Sequence, residues 1–453
     1  MNLPNYFLAD VPPGATLNGQ MLWEACQALK RNREQYLADR PTRSLIKVLH
    51  EIGSNWLDSE FPFRKLALEK GPDATGFSAA TLASGFNAFF QQLNGENIEA
   101  LVVHDLGHAQ RLDEMVAGTA EQKIGRASMA IGPELMAHIA AGNIPNPTFT
   151  SVALGLIMRS AQFVKCATGA SFLPRMFAHS IYDADPKLGA CLEIAEWPGG
   201  NAELEGVLFA EADCVTVTGC DETITALRAR VPAKAKMISY GHRVSFGYVT
   251  AEAISGFHAK KVIARAATDV IAWDQLGCLS PHVLYVEHGG GLSAEQFAEE
   301  LAAELARREL TEPRGRLSPQ DAATIASKRS FYKVRAANSP DTRLWCSADS
   351  TAWTVVYEAD PRFQLSSLHR FIYVKAVTDL ADLLQGAENV RGKVSTVGLA
   401  ATEDRAPQIA TQLARWGVTR VCPLGQMQSP PLTWRHDGRP SLGDLITWTD
   451  WEL

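Results

Sequence analysis

The chain has 453 residues, 46% of them apolar and 21% charged, with 43 Lys and Arg against 50 Asp and Glu for a formal net charge of −7. That length gives room for two or three domains with large cores, the composition excludes a disordered chain or a disulfide mini-domain, and the acidic balance excludes a broad cationic surface for nucleic acid. The 8 Cys never take zinc-knuckle spacing, residues 1–15 lack a basic stretch leading into an apolar one, and no window nears about 18 consecutive apolar residues; free thiols in a cytoplasmic protein without a membrane span are expected.

Residues 16–95 read as helical, with Leu45, Val48, Leu49, Ile52 and Trp56 spaced to share one helix face. From Glu99 the pattern becomes short apolar runs between helical segments, with strands expected at 100–104, 162–166, 214–218 and 236–239. A long helix-like stretch over 250–273 opens a second series, with strands expected at 283–286, 353–357, 371–377, 394–399 and 418–422. Between them, 293–310 reads as a helix opened by a Ser293/Gln296 capping box, with Phe297, Leu301 and Leu305 on its inner face. Turn-rich stretches at 312–319 and 338–341 interrupt this half. Such alternation predicts an α/β protein of two lobes, each a sheet covered on both faces.

Four places could carry chemistry. Cys278 follows Gly277 in a short connection between a helix and a strand, where a loop can present sulfur in a cleft. Asn143 stands in Gly142-Asn143-Ile144-Pro145 at the start of an apolar helix, and Lys165 ends the next strand. Thr218-Gly219-Cys220 carries the apolar run 214–218 into a helix start that includes Thr223, a place where backbone N–H groups can face an anion. His242 lies in Tyr240-Gly241-His242-Arg243, and no Asp or Glu occurs from Val231 to Ala251. Without a carboxylate there to activate water, a thioester is a better acyl partner for Cys278 than water is.

The Asn143 and Lys165 segments resemble those of aldehyde dehydrogenases. Together with Asp274-Gln275-Leu276-Gly277-Cys278, Tyr240-Gly241-His242-Arg243 and the tail Arg420-Val421-Cys422-Pro423-Leu424-Gly425-Gln426, the chain is similar over nearly its whole length to LuxC-type acyl-CoA reductases, a branch of that superfamily. The resemblance implies an aldehyde dehydrogenase-like fold: a helical N-terminal region at 1–95 packed on the cofactor domain, a Rossmann-like NADP-binding domain at 96–248, a catalytic thiol domain at 249–430 and a C-terminal tail at 431–453. It implies NADPH-dependent reduction of a fatty-acyl thioester, acyl-CoA or acyl-protein, to the aldehyde through a thioacyl-cysteine. An acyl-transferring enzyme partner and a homo-oligomer follow from the same resemblance.

Cys278 would be the nucleophile, Asn143 the oxyanion donor, and His242 the group that tunes the thiol or protonates the departing thiolate. Lys165, Thr168, Thr218, Gly219, Cys220 and Thr223 would hold the cofactor. Cys220 replaces the usual serine, and Thr168 stands where NAD-preferring relatives often carry a glutamate, which leans toward NADPH with NADH as the alternative. An aldehyde-oxidising dehydrogenase using a carboxylate such as Glu287 is the nearest competitor. A metal-dependent hydrolase built on His104 and His108 is a weaker one, since Gly107 and the strand-like run before it argue for a loop and no metal is expected.

Overall fold

In a computed structural model of the protein, residues 3–11, 16–256 and 258–452 are described, so the reading of residues 1–15 and the expected helix across Phe257 fall partly outside them. Helices occupy Gly19–Tyr36, Thr42–Leu57, Pro62–Thr75 and Ala79–Phe90, as the N-terminal periodicity predicts. Thr42–Leu57 turns Leu45, Leu49, Ile52 and Trp56 fully inward. The Trp56 ring stacks on Phe90 at 4.8 Å, and its N–H donates to Ser180 Oγ at 2.8 Å, which satisfies the one polar atom this burial would orphan.

The strand expected at 100–104 is instead the second half of a helix, Gly95–Leu106. Asn94 caps it by accepting from Asn97 N, Ile98, Leu101, Val102 and Leu106 are buried at helical spacing, and Gly107 closes it at φ 75°. Packing of that face outweighs the β preference of the Val102-Val103 pair. The stretch over 250–273 is also shorter than expected: only His258–Ile271 is α-helix, and Ala251–Ile254 is a single 3₁₀ turn.

The chain divides into two units, Met1–Thr75, Phe86–Gly241 and Pro431–Leu453 forming the first, Gly76–Gly85 and His242–Pro430 the second. In the first, β1 is Arg126–Ile131, β2 Leu135–Ile139, β3 Ala161–Cys166, β4 Leu192–Glu196, β5 Cys214–Thr218 and β6 Lys236–Tyr240. The last five form a parallel sheet in the order β4-β3-β2-β5-β6. β2 and β3 are buried along their whole lengths, as strands covered on both faces must be. On one face a core that includes Leu22, Phe163, Leu208 and Val215 ties the helices Gly19–Tyr36 and Ala202–Glu211 to the sheet.

The second unit holds β7 (Val244–Val249), β8 (Pro281–Glu287), β9 (Thr342–Cys346), β10 (Thr354–Glu358), β11 (Phe371–Val377), β12 (Val394–Ala400) and β13 (Arg420–Pro423). Its seven-stranded sheet runs β13-β12-β7-β8-β11-β10-β9, parallel except for β9. Two apolar cores cover its two faces, one centred on the helices His258–Ile271 and Ala294–Glu309. Ser293 and Gln296 cap the latter reciprocally, as their spacing predicts. Because β7 pairs with β8 and β12, the chain enters the second unit at His242 and not at the expected 248/249 boundary. Nor is 431–453 a separate tail: β14 (Thr447–Glu452) pairs antiparallel with β1 in the first unit. Among the described residues no helix is long and apolar enough to cross a membrane.

Candidate active site

In the first unit the strand order reverses between β2 and β5, so connections leave the carboxyl ends of these two neighbours in opposite directions. Such a switch point in an open parallel sheet is where ligands bind. The turn with Gly142 and Asn143 follows β2, and Gly219 and Cys220 follow β5. Lys165 stands next to last in β3, in register with Ile139 of β2 and Ala195 of β4. Asn143, Lys165, Thr218 and Gly219 are thus gathered at the carboxyl ends of three adjacent strands.

Lys165 is buried, with Nζ 5.7 Å from the Trp197 ring centroid, and makes no ion pair among the described residues. Burial lowers its pKa, while Glu205, Cys166 and Glu196 pull it upward. A buried ammonium left without a partnered carboxylate at a switch point fits an anionic group such as a nucleotide phosphate. Thr168 lies exposed in the turn that follows. Sequence reasoning missed Glu196, the last residue of β4, whose carboxylate accepts from Gly169 N at 2.6 Å and Ser171 N at 3.3 Å. A carboxylate therefore does stand beside the Thr168 turn, contributed by the neighbouring strand. Cys220 is the N-cap residue of Asp221–Arg228 but caps no backbone N–H; its Sγ lies 3.1 Å from Thr223 Oγ1.

In the second unit Cys278 lies in the loop between the turn Ala272–Gln275 and β8, half-buried. Ser245 Oγ donates to Cys278 O at 2.8 Å, and Ser280 N donates to Gly277 O at 2.9 Å. Gln428 packs on Gly277 so closely that a Cβ there would collide with its amide, which donates to Ser280 Oγ at 2.6 Å. Gly277→Ala should therefore displace Gln428, cost about 1–3 kcal/mol as an overpacked site does, and lower turnover. Thermal unfolding and steady-state rates check this, and an alanine variant matching wild type in both would contradict it.

The other cysteines fall into two groups. Burial pushes the thiols of Cys26, Cys166, Cys191, Cys214 and Cys422 up to about 12, so they behave as small apolar residues. Cys220 and Cys346 are exposed. Cys278 alone is half-buried in a loop, the setting in which a thiol can be both reached and shielded.

His242 is exposed, just ahead of β7. A second histidine, unnoticed in the sequence, is within its electrostatic reach: His282, in β8. Burial, then the nearby His242 and Lys328, lowers its pKa to about 4, so it is neutral at pH 7. Its Nδ1 accepts from Ser366 N at 3.2 Å, which places the proton on Nε2.

Glu287 cannot serve the sulfur. It ends β8 while Cys278 precedes the start of that strand, and at ~3.3 Å per residue the two ends of the strand lie roughly 20 Å apart. Glu287 is also occupied: Arg405 holds both its oxygens at 2.9 Å, Ala251 N donates to it at 3.0 Å, and the Tyr248 hydroxyl donates as well. His104 and His108 share no helix face, because Gly107 ends the helix between them, and His104 contacts Asp105 and Arg435, each at 3.0 Å. Among the described residues no group of three or more His, Cys, Asp or Glu could hold a metal ion.

The profile of the acyl-CoA reductase (LuxC) family matches residues 37–448. The chain belongs to the LuxC acyl-CoA reductase family. This LuxC-family chain is an oxidoreductase by that membership. It is 23% identical over 421 residues to the long-chain acyl-protein thioester reductase of Aliivibrio fischeri, covering 90% of this chain and 82% of the relative. With the enzyme of the same name from Vibrio harveyi it shares 21% over 426 residues, 92% and 84% of the two chains.

Among solved structures, a bifunctional proline utilization A protein superposes with a TM-score of 0.72 at 16% identity. That match covers 98% of this chain and 46% of that one, so the chain spans about half the length of the bifunctional protein. A NAD-dependent benzaldehyde dehydrogenase from Corynebacterium glutamicum gives 0.69 at 14% identity, covering 96% and 91%. The fold is aldehyde dehydrogenase-like, and fold and family together imply a nicotinamide cofactor.

Proposed function

We propose that this LuxC-family chain reduces a long-chain acyl thioester, presented on coenzyme A or on a protein, to the aldehyde through a thioacyl-Cys278 intermediate. One observation carries this reading over aldehyde oxidation: the carboxylate best placed in sequence to activate water, Glu287, lies at the far end of β8 and is held by Arg405. The substrate in the relatives' names, a long-chain acyl-protein thioester, supports the acyl class.

The Cys278 thiolate attacks the acyl carbonyl carbon, the bond from that carbon to the donor sulfur breaks, and the donor leaves as a thiol with a proton that His242 can supply. The acyl group then rests on Cys278. A nicotinamide cofactor, when bound, supplies the hydride that converts this thioester to aldehyde and returns the thiolate. Lys165, Thr168, Thr218, Gly219, Cys220 and Thr223 would hold it. The buried Lys165 and the absence of a carboxylate at Thr168 itself favour NADPH, while Glu196 one strand over leaves NADH as the competitor.

The reading extends to a homo-oligomer, supported by β14, exposed along its whole length with Trp448 and Trp451 bared. An acyl-transferring enzyme as partner suits a protein-borne substrate. Eight free cysteines support a reducing, cytoplasmic location.

The test is a panel of acyl-CoA thioesters with NADPH or NADH, following cofactor oxidation and aldehyde. Turnover with long acyl chains and a higher kcat/KM for NADPH is expected; no oxidation of either cofactor at any chain length contradicts the proposal. The family resemblance assigns the oxyanion to Asn143, so Asn143→Ala should slow acylation by roughly 10²-fold. An unchanged acylation rate removes it from the site.

A further inference from the structure

We propose that Asp274 and Arg370 are positioning residues that clamp the loop of Cys278, acting through two short left-handed turns. The inference rests on the reading of Cys278 as the acylated nucleophile. Three consecutive residues before that loop, Trp273, Asp274 and Gln275, have φ of 51°, 48° and 66°. Three more, Leu368, His369 and Arg370, have φ of 59°, 55° and 65° immediately before β11. None is glycine, and L residues enter this region one at a time because Cβ crowds the next carbonyl. Two such triplets persist only where the surroundings over-determine them.

Those surroundings are specific. Arg370 is 1% exposed and donates to Asp274 Oδ1 through Nε at 2.9 Å, with Nη2 2.8 Å from the same oxygen. Its Nη1 reaches Glu309 Oε2 at 2.9 Å and Glu312 O at 2.7 Å. Asp274 Oδ2 accepts from Gly315 N at 3.0 Å. The Gln275 amide donates to Pro281 O at 2.7 Å and Phe371 O at 3.0 Å, so the same turn grips the first residues of β8 and β11. Trp273 fills the space that a Cβ on Gly85 would need. The carboxylate sits four residues before the sulfur and its cation immediately before β11, the strand paired with β8, so the pair sets where the loop departs. Ser245 and Gln428 fix its later residues.

The experiment compares wild type with Asp274→Asn, Arg370→Lys and Glu309→Gln, and with Leu413→Ala, a buried core substitution in the same unit, as the control for lost stability. Tetradecanoyl-CoA without cofactor is the acylating probe, with the Cys278 peptide followed by mass; iodoacetamide is the alkylating one. Clamp variants should acylate Cys278 10- to 100-fold more slowly at saturating probe, with half-saturation within about threefold, while Cys278 alkylates several-fold faster and buried Cys422 stays protected. Leu413→Ala should lose thermal stability and keep its acylation rate within twofold.

Clamp variants that acylate at the wild-type rate, or that slow no more than Leu413→Ala at equal loss of Tm, overturn the proposal. Should Asp274→Asn or Arg370→Lys fail to fold, Glu309→Gln, which removes one partner of Arg370, decides by the same readouts with a smaller change. The alkylation arm separates the two failures. If wild-type Cys278 takes no acyl group, the catalytic reading falls, and unchanged alkylation in the variants sinks the clamp independently.

Discussion

Cys278→Ala should reduce acyl-thioester turnover at least ~10³-fold, because removing a covalent nucleophile deletes the pathway that splits one difficult transfer into two easier ones. Cysteine suits such a task, since the few per cent of thiolate that a free thiol holds at pH 7 is already strongly nucleophilic. Stability should change little, as the side chain is half-buried in a loop whose tethers run through Ser245, Ser280 and Gln428. The two exposed cysteines are the controls. Cys346→Ala should keep full activity, and Cys220→Ser should alter the KM for cofactor more than the acylation rate, given its place in the turn after β5. Steady-state assays with acyl-CoA check all three; a Cys278→Ala enzyme with more than a tenth of wild-type activity would contradict the assignment.

The second large effect concerns acid. His138 lies wholly buried between Thr216 Oγ1 at 2.7 Å and Gln162 Oε1 at 2.9 Å, and desolvation lowers its pKa to about 4. His282 is depressed to about 4 as well. A histidine kept neutral when folded binds fewer protons than in the unfolded chain, so its stabilisation is fully present above about pH 6.5 and is lost as pH falls toward 4. Each shift corresponds to on the order of 3 kcal/mol. Asp269 and Glu193 act in the opposite sense, burial raising them to about 7 and about 8, so the wild-type slope is a difference between opposed contributions. Urea unfolding of wild type and His138→Gln at several pH values isolates one of them. The stability gap between the two should be widest above pH 6.5 and shrink steadily toward pH 4, whereas a gap independent of pH would rule out a buried neutral His138.

Local signals made several structural placements legible. The run 214–218 entering Thr-Gly, the capping box at Ser293 and the isolated Cys278 after glycine all depend on neighbours in sequence, and each sits where its pattern put it. The misread segments depended on distant partners. The run 100–104 looked strand-like until a helical face was buried, and β2 escaped notice because Leu-Met-Ala-His-Ile carries one β-branched residue and a histidine that only Thr216 and Gln162 make tolerable. Asp274 and Arg370 lie 96 residues apart, and their left-handed turns contain no glycine to announce them. His282 and Glu196 likewise gain meaning only from Ser366 and from the turn after β3.

The most direct measurement mixes the purified protein with a long-chain acyl-CoA in the absence of cofactor, digests it and weighs the cysteine peptides. A single acyl adduct is expected, on Cys278, that disappears with release of one equivalent of aldehyde when NADPH is added. An adduct on another residue, or full reductase turnover with Cys278 never acylated, would contradict it.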